Sequence, residues 1–81
     1  MKAKMKAAYK ALEKMGVTVY ENQYGLDKFC ISATGDDEGV WVDYYSADWD
    51  FGVRQDLTQV LLGFGLFAEW VNPEVLNVNY I

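Results

Sequence analysis

The densest run of side chains able to make specific contacts is Trp41-Val42-Asp43-Tyr44-Tyr45-Ser46-Ala47-Asp48-Trp49-Asp50-Phe51-Gly52. It holds five of the chain's thirteen aromatic residues and three carboxylates. Trp and Tyr offer large contact area with few rotors to freeze, which makes them favoured anchors in protein interfaces. Carboxylates beside them can pair with Arg or Lys of a partner or hold a cation over a ring face. The competing task for the same rings is to fill a small core and close a strand-to-helix corner.

Other chemistry finds little footing. Asp48-x-Asp50-x-Gly52 matches only part of an EF-hand calcium loop. With Asp48 at position one, Gly52 falls at five and Gln59 at twelve, where the loop needs an oxygen ligand, Gly at six and Glu at twelve. Asp36-Asp37-Glu38 reads as a charged hairpin tip kept soluble by its acids, not as a metal site. The chain has no histidine, which removes the commonest general base, transition-metal ligand and pH switch together. A carboxylate pair is then the remaining acid–base option, and no nucleophile elbow, P-loop or dinucleotide fingerprint occurs. Gly63-Phe64-Gly65 lacks a third glycine and does not lead from a strand into a helix. Cys30 is the single cysteine; it has no disulfide partner or zinc spacing, and no neighbouring base or cation to activate its thiol. The expectation is a non-enzymatic protein without cofactor or metal.

Charge is divided along the chain. Lys2, Lys4, Lys6, Lys10 and Lys14 share the first fourteen residues with one acid, Glu13, giving +4; eleven carboxylates against Lys28 and Arg54 leave −9 on the remainder. Such a dipole orients encounters without naming a partner. A net charge of −5 disfavours direct binding to a phosphate backbone. The apolar stripe of the Lys-rich segment is Met and Ala, poor material for membrane insertion. The longest apolar stretch, Val60 to Ala68, contains two glycines and is too short to span a bilayer. No long apolar run follows the N-terminal lysines as a secretory signal requires. A cytoplasmic protein with no membrane contact and no direct nucleic-acid contact is expected.

Those segments must be positioned by elements legible from periodicity. Met1, Met5, Ala8, Leu12 and Met15 fall on one helical stripe, and Gly16 is a natural stop. The period then changes to two. Val17–Tyr20 is a first strand, Asn22 to Gly25 a turn, and Phe29, Ile31 and Ala33 alternate along a second strand. Thr34–Gly39 makes a hairpin loop, and Val40, Val42 and Tyr44 alternate with Trp41, Asp43 and Tyr45 in a third strand. Val53, Leu57, Val60, Leu61 and Phe64 return to helical spacing, with Asp50 as a candidate cap. Leu66–Val71 and Val75–Ile81 form two strands around Asn72-Pro73-Glu74.

The order α-β-β-β-α-β-β over residues 1–81 predicts one compact α+β domain, a two-layer sandwich with an antiparallel sheet and two helices on one face. The opposite sheet face would carry Tyr20, Cys30, Trp41, Asp43 and Tyr45. A sheet face mixing large aromatics with polar residues is partly open or covered by a partner. The expected function is a small acidic protein-interaction domain, a homodimer or a module docking on a larger protein, with Tyr20, Trp41, Asp43, Tyr45, Asp48 and Trp49 at the contact. The alternative is an acidic mimic of nucleic acid that occupies the basic groove of a DNA- or RNA-binding protein.

Overall fold

A computed structural model describes residues 2–22, 28–34, 41–45 and 49–81. The first helix, α1 (Ala3–Met15), buries Met5, Ala8 and Leu12, while Lys4, Lys6, Lys10 and Lys14 face solvent. It stops at Gly16, whose φ of 95° and N–H bond to the Glu13 carbonyl close the last turn. This left-handed cap favours glycine because a Cβ is penalised there.

Strands β1 (Val19–Glu21) and β2 (Phe29–Ser32) pair antiparallel, with Val19 opposite Ile31 and Tyr20 opposite Cys30. The second helix, α2 (Gln55–Gly63), buries Leu57 and Leu61. Strands β3 (Leu66–Asn72) and β4 (Val75–Tyr80) form a hairpin across Pro73 and Glu74. There Asn72 Oδ1 accepts the Glu74 N–H at 2.8 Å, an Asx turn. The described sheet has four antiparallel strands in the order β1-β2-β4-β3.

Alternation decides the layers. Phe29 and Ile31 of β2, Leu66 of β3, and Leu76 and Val78 of β4 share one buried cluster with Met5, Ala8 and Leu12 of α1 and Leu57 and Leu61 of α2. Both helices therefore cover the same face, and the protein is an α+β sandwich. Tyr20, Cys30 and Asn77 lie on the opposite face, which no described helix covers, since they pair across neighbouring strands at the intervening positions.

Two local expectations change. The described part of the expected third strand, residues 41–45, contributes a single antiparallel bridge, Val42 to Val53, instead of a strand. Asp43 Oδ1 accepts the Tyr45 N–H at 3.0 Å, so the chain turns after one pair, and Tyr44 sits 47% exposed in place of its expected inward position. The sheet neighbour of β2 is instead β4. Asp50 does not cap α2: it opens a 3-10 turn, Asp50–Gly52, while Arg54 occupies the cap position without a side-chain cap bond. Val53 is buried as its apolar character requires, but in extended pairing ahead of the helix. The expected Asn22–Gly25 turn, the Thr34–Gly39 loop, Met1 and Val40 fall wholly or largely outside the described residues.

Candidate functional site

A short backbone ribbon builds the site. The Asp43 N–H donates to the Gly52 carbonyl at 2.7 Å and the Arg54 N–H to the Trp41 carbonyl at 2.9 Å, around the Val42–Val53 bridge. These bonds fix residues 41–43 against 52–54, and the aromatic side chains project from the two ends.

At the Trp41 end the ring is half-buried against the core, and the Arg54 guanidinium lies 4.2 Å from its centroid. The same guanidinium forks onto Asp56, Nε to Oδ1 at 2.8 Å and Nη2 to Oδ2 at 2.7 Å. This hydrogen-bonded pair holds the Asp56 carboxyl below its usual range and pushes the Arg54 guanidinium up. Trp41 thus carries a resident cation on one face and the core on another.

At the other end, Phe51 is the one described non-glycine residue with positive φ (φ 55°, ψ 25°), followed by Gly52 at φ 72°. Two successive left-handed residues reverse the chain sharply and point the Phe51 ring outward, 85% exposed. The indole Nε1 of Trp70, on β3, donates to the Phe51 carbonyl. The Tyr44 ring meets Trp70 edge-on at 5.2 Å and Tyr45 likewise at 5.2 Å, a geometry in which a positive ring edge meets a negative face. Tyr44, Trp49, Phe51, Gly52 and Trp70 line a cleft of about 370 Å³. Tyr45, 80% exposed, lies on the far side of Tyr44 from this cleft and lines a neighbouring one with Asp43, Tyr44 and Glu74.

The residues expected from sequence are distributed unevenly. Asp43, Tyr45 and Trp49 belong to this cluster, with Asp43 holding the turn that presents Tyr45. Trp41 is committed to the core and Arg54. Tyr20 is exposed, but on the sheet face away from α1 and α2, opposite Cys30. Asp48 lies outside the described residues. Beside Tyr20, Cys30 donates its S–H to Asn77 Oδ1 at 3.1 Å. Burial pushes the Cys30 thiol up, and burial followed by the neighbouring Cys30 pushes the Tyr20 hydroxyl up. Such a thiol is protonated near neutrality and a poor nucleophile.

Tyr44, Phe51 and Trp70 are the members that sequence reasoning missed. Phe51 and Tyr44 belong to the acidic–aromatic segment, but no local pattern marks a phenylalanine for a left-handed backbone. Trp70 arrives from a strand nineteen residues further along the chain. Among the described residues, no three His, Cys, Asp or Glu side chains converge as a metal site would need. No helix among them is long and apolar enough to cross a membrane. No protein-family model matches the chain, and neither a curated protein nor a solved structure is detectably similar to it.

Proposed function

We propose that the chain is a small, non-enzymatic protein-interaction domain of the cytosol, docking through the aromatic cluster of Tyr44, Tyr45, Trp49 and Phe51 on a floor of Trp70. The observation that carries this reading is Phe51. A bulky side chain in the left-handed region costs about 1–3 kcal/mol, and a phenyl ring 85% exposed recovers little of that by burial. Stability alone favours glycine or asparagine at this position. A docked partner would desolvate the ring and return the cost as contact.

The surrounding chemistry fits the same role. Tyr44, Tyr45 and Trp49 offer apolar bodies with hydrogen-bonding tips, the composition of interface anchors. Asp43 and Asp56 are occupied by a turn and by Arg54, which weakens the alternative of a phosphate-like acidic array.

The test is capture of binding partners by wild-type chain, Phe51→Ala and Tyr45→Ala, each at low and high salt, with unfolding curves run in parallel. Loss of the captured protein in both variants, with stability unchanged and salt dependence slight, is expected. Capture that ignores both substitutions and collapses at high salt would refute the aromatic site and favour the charge mimic.

A further inference from the structure

We propose that the chain also pairs with a second copy of itself along the edge of β3 that no described segment covers, so that two described four-stranded sheets become one sheet of eight. The proposal goes beyond the aromatic cluster: it adds a self-association surface beside that site and leaves the cluster's own partner to the capture experiment.

The hydrogen-bond register defines the edge. Ile81 N–H donates to the Gly65 carbonyl at 3.1 Å, and β3 and β4 pair Leu66 with Tyr80, Phe67 with Asn79 and Glu69 with Asn77. Antiparallel pairs alternate between bonded and non-bonded. Phe67 and Glu69 are therefore bonded to β4, and the N–H and C=O groups of Leu66, Ala68 and Trp70 point away from it. The same parity recurs one strand further in, where the Ala33 N–H donates to the Glu74 carbonyl at 2.8 Å. No described backbone segment pairs with those outward groups of β3. A row of outward donors and acceptors at 66, 68 and 70 calls for an extended strand.

The sequence of this edge suits its own copy. In antiparallel pairing about a two-fold axis at Ala68, the two alanines meet at the axis, where two large side chains would crowd. On the helix-covered face Leu66 then lies opposite the partner's Trp70. On the open face Phe67 lies opposite the partner's Glu69, so no like charges stand directly opposed. Leu66 to Trp70 contains no lysine or proline to discourage pairing, and the register shift between Trp70 and Asn72 limits it to these five residues. Phe51, Leu62 and Phe67 are exposed apolar residues beside this edge, around a groove of about 250 Å³, and a second copy would bring the same three. The opposite edge, β1, has three residues and ends on Glu21.

Charge gives the pairing a signature. Two chains of −5 each repel, so added salt tightens this dimer by screening, the reverse of its effect on a basic peptide bound to the same edge.

The experiment is sedimentation equilibrium of the full chain at low and high salt, for wild type, Phe67→Glu, Phe67→Lys and Phe51→Ala. The Phe67 side chain is exposed, so both replacements keep the fold, which thermal unfolding checks. The expected result is a dimer strengthened by salt. Phe67→Glu, with Glu69 of the partner subunit opposite, weakens it about tenfold, and Phe67→Lys, with the same carboxylate opposite, preserves it. A wild-type monomer at its highest soluble concentration in both salts overturns the pairing, while the aromatic cluster still answers to its own capture experiment. A dimer indifferent to Phe67→Glu also overturns it; if that dimer dissociates in Phe51→Ala, the aromatic site stands and the edge does not.

Discussion

The Trp70 indole is bonded to the carbonyl of Phe51, and the edge of its ring stands 3.3 Å from where a Cβ on Gly52 would sit. One side chain of β3 thereby holds the left-handed turn that exposes Phe51. Trp70→Phe keeps a ring against Tyr44 but removes the donor. The freed carbonyl is near solvent and can be hydrated, so the expected loss is about 1 kcal/mol and not the full penalty of a buried orphan. Chemical denaturation measures the loss. Chymotryptic cleavage after Phe51 should accelerate more than global unfolding does, because the turn loses its tether. Cleavage that tracks global stability alone would mean the bond does not hold the turn.

Gly52 and Gly16 both have positive φ, yet their surroundings differ. A Cβ on Gly52 would run into the Asp43 carbonyl oxygen and lie 3.3 Å from the Trp70 ring; one on Gly16 would meet nothing within 4 Å. Gly16→Ala therefore carries only the left-handed penalty, about 1–2 kcal/mol. Gly52→Ala adds the collision and should cost about 3 kcal/mol or more. Equal midpoint shifts in urea would show that the 41–43/52–54 ribbon opens easily enough to absorb a methyl group.

Trp41 and Tyr45 are four residues apart and opposite in role. Trp41→Ala empties a site packed against the buried cluster and removes the surface under Arg54, for an expected loss of about 2–3 kcal/mol. Tyr45→Ala removes a ring 80% exposed and should change stability by less than about 0.5 kcal/mol. Thermal unfolding of the two variants distinguishes them. A large loss for Tyr45→Ala would place its ring in the fold and take it out of the docking surface.

Local periodicity carried much of the architecture. The Met5–Ala8–Leu12 stripe, the stop at Gly16, the Phe29/Ile31 alternation and the hairpin at Pro73 each depend on neighbours within a few residues. The same logic failed where a distant contact governs. Val53 stands four residues before Leu57 and so continues a helical stripe on paper, but its bridge to Val42 draws it into extended backbone. Tyr44 alternates with Val42, and the Asx turn at Asp43 rotates it outward. Neither the β2–β4 pairing nor the arrival of Trp70 at Phe51 leaves a local trace. The candidate site was thus legible as a segment, and its geometry was set from β3.

The Arg54–Asp56 fork gives a pH dependence with a definite sign. Hydrogen bonding to Arg54, the leading cause, lowers the Asp56 pKa from its ordinary 3.8, opposed by a smaller desolvation effect. An acid whose folded pKa is depressed adds stability that is complete above its unfolded value and lost as pH falls through the folded one. Asp56 is about half exposed, so solvent screening keeps the contribution small. Asp56→Asn should be less stable than wild type by a constant margin at neutral pH, and the two unfolding curves should converge as pH drops below the ordinary carboxylate range. Raising salt at neutral pH should narrow the same gap. The Trp41 fluorescence should shift in the variant as well, since the guanidinium over its ring loses the carboxylate that orients it. A gap that persists unchanged to low pH would assign the effect to the Asp56 Oδ1 bond with the Leu57 N–H at 3.0 Å, which asparagine can mimic only in part.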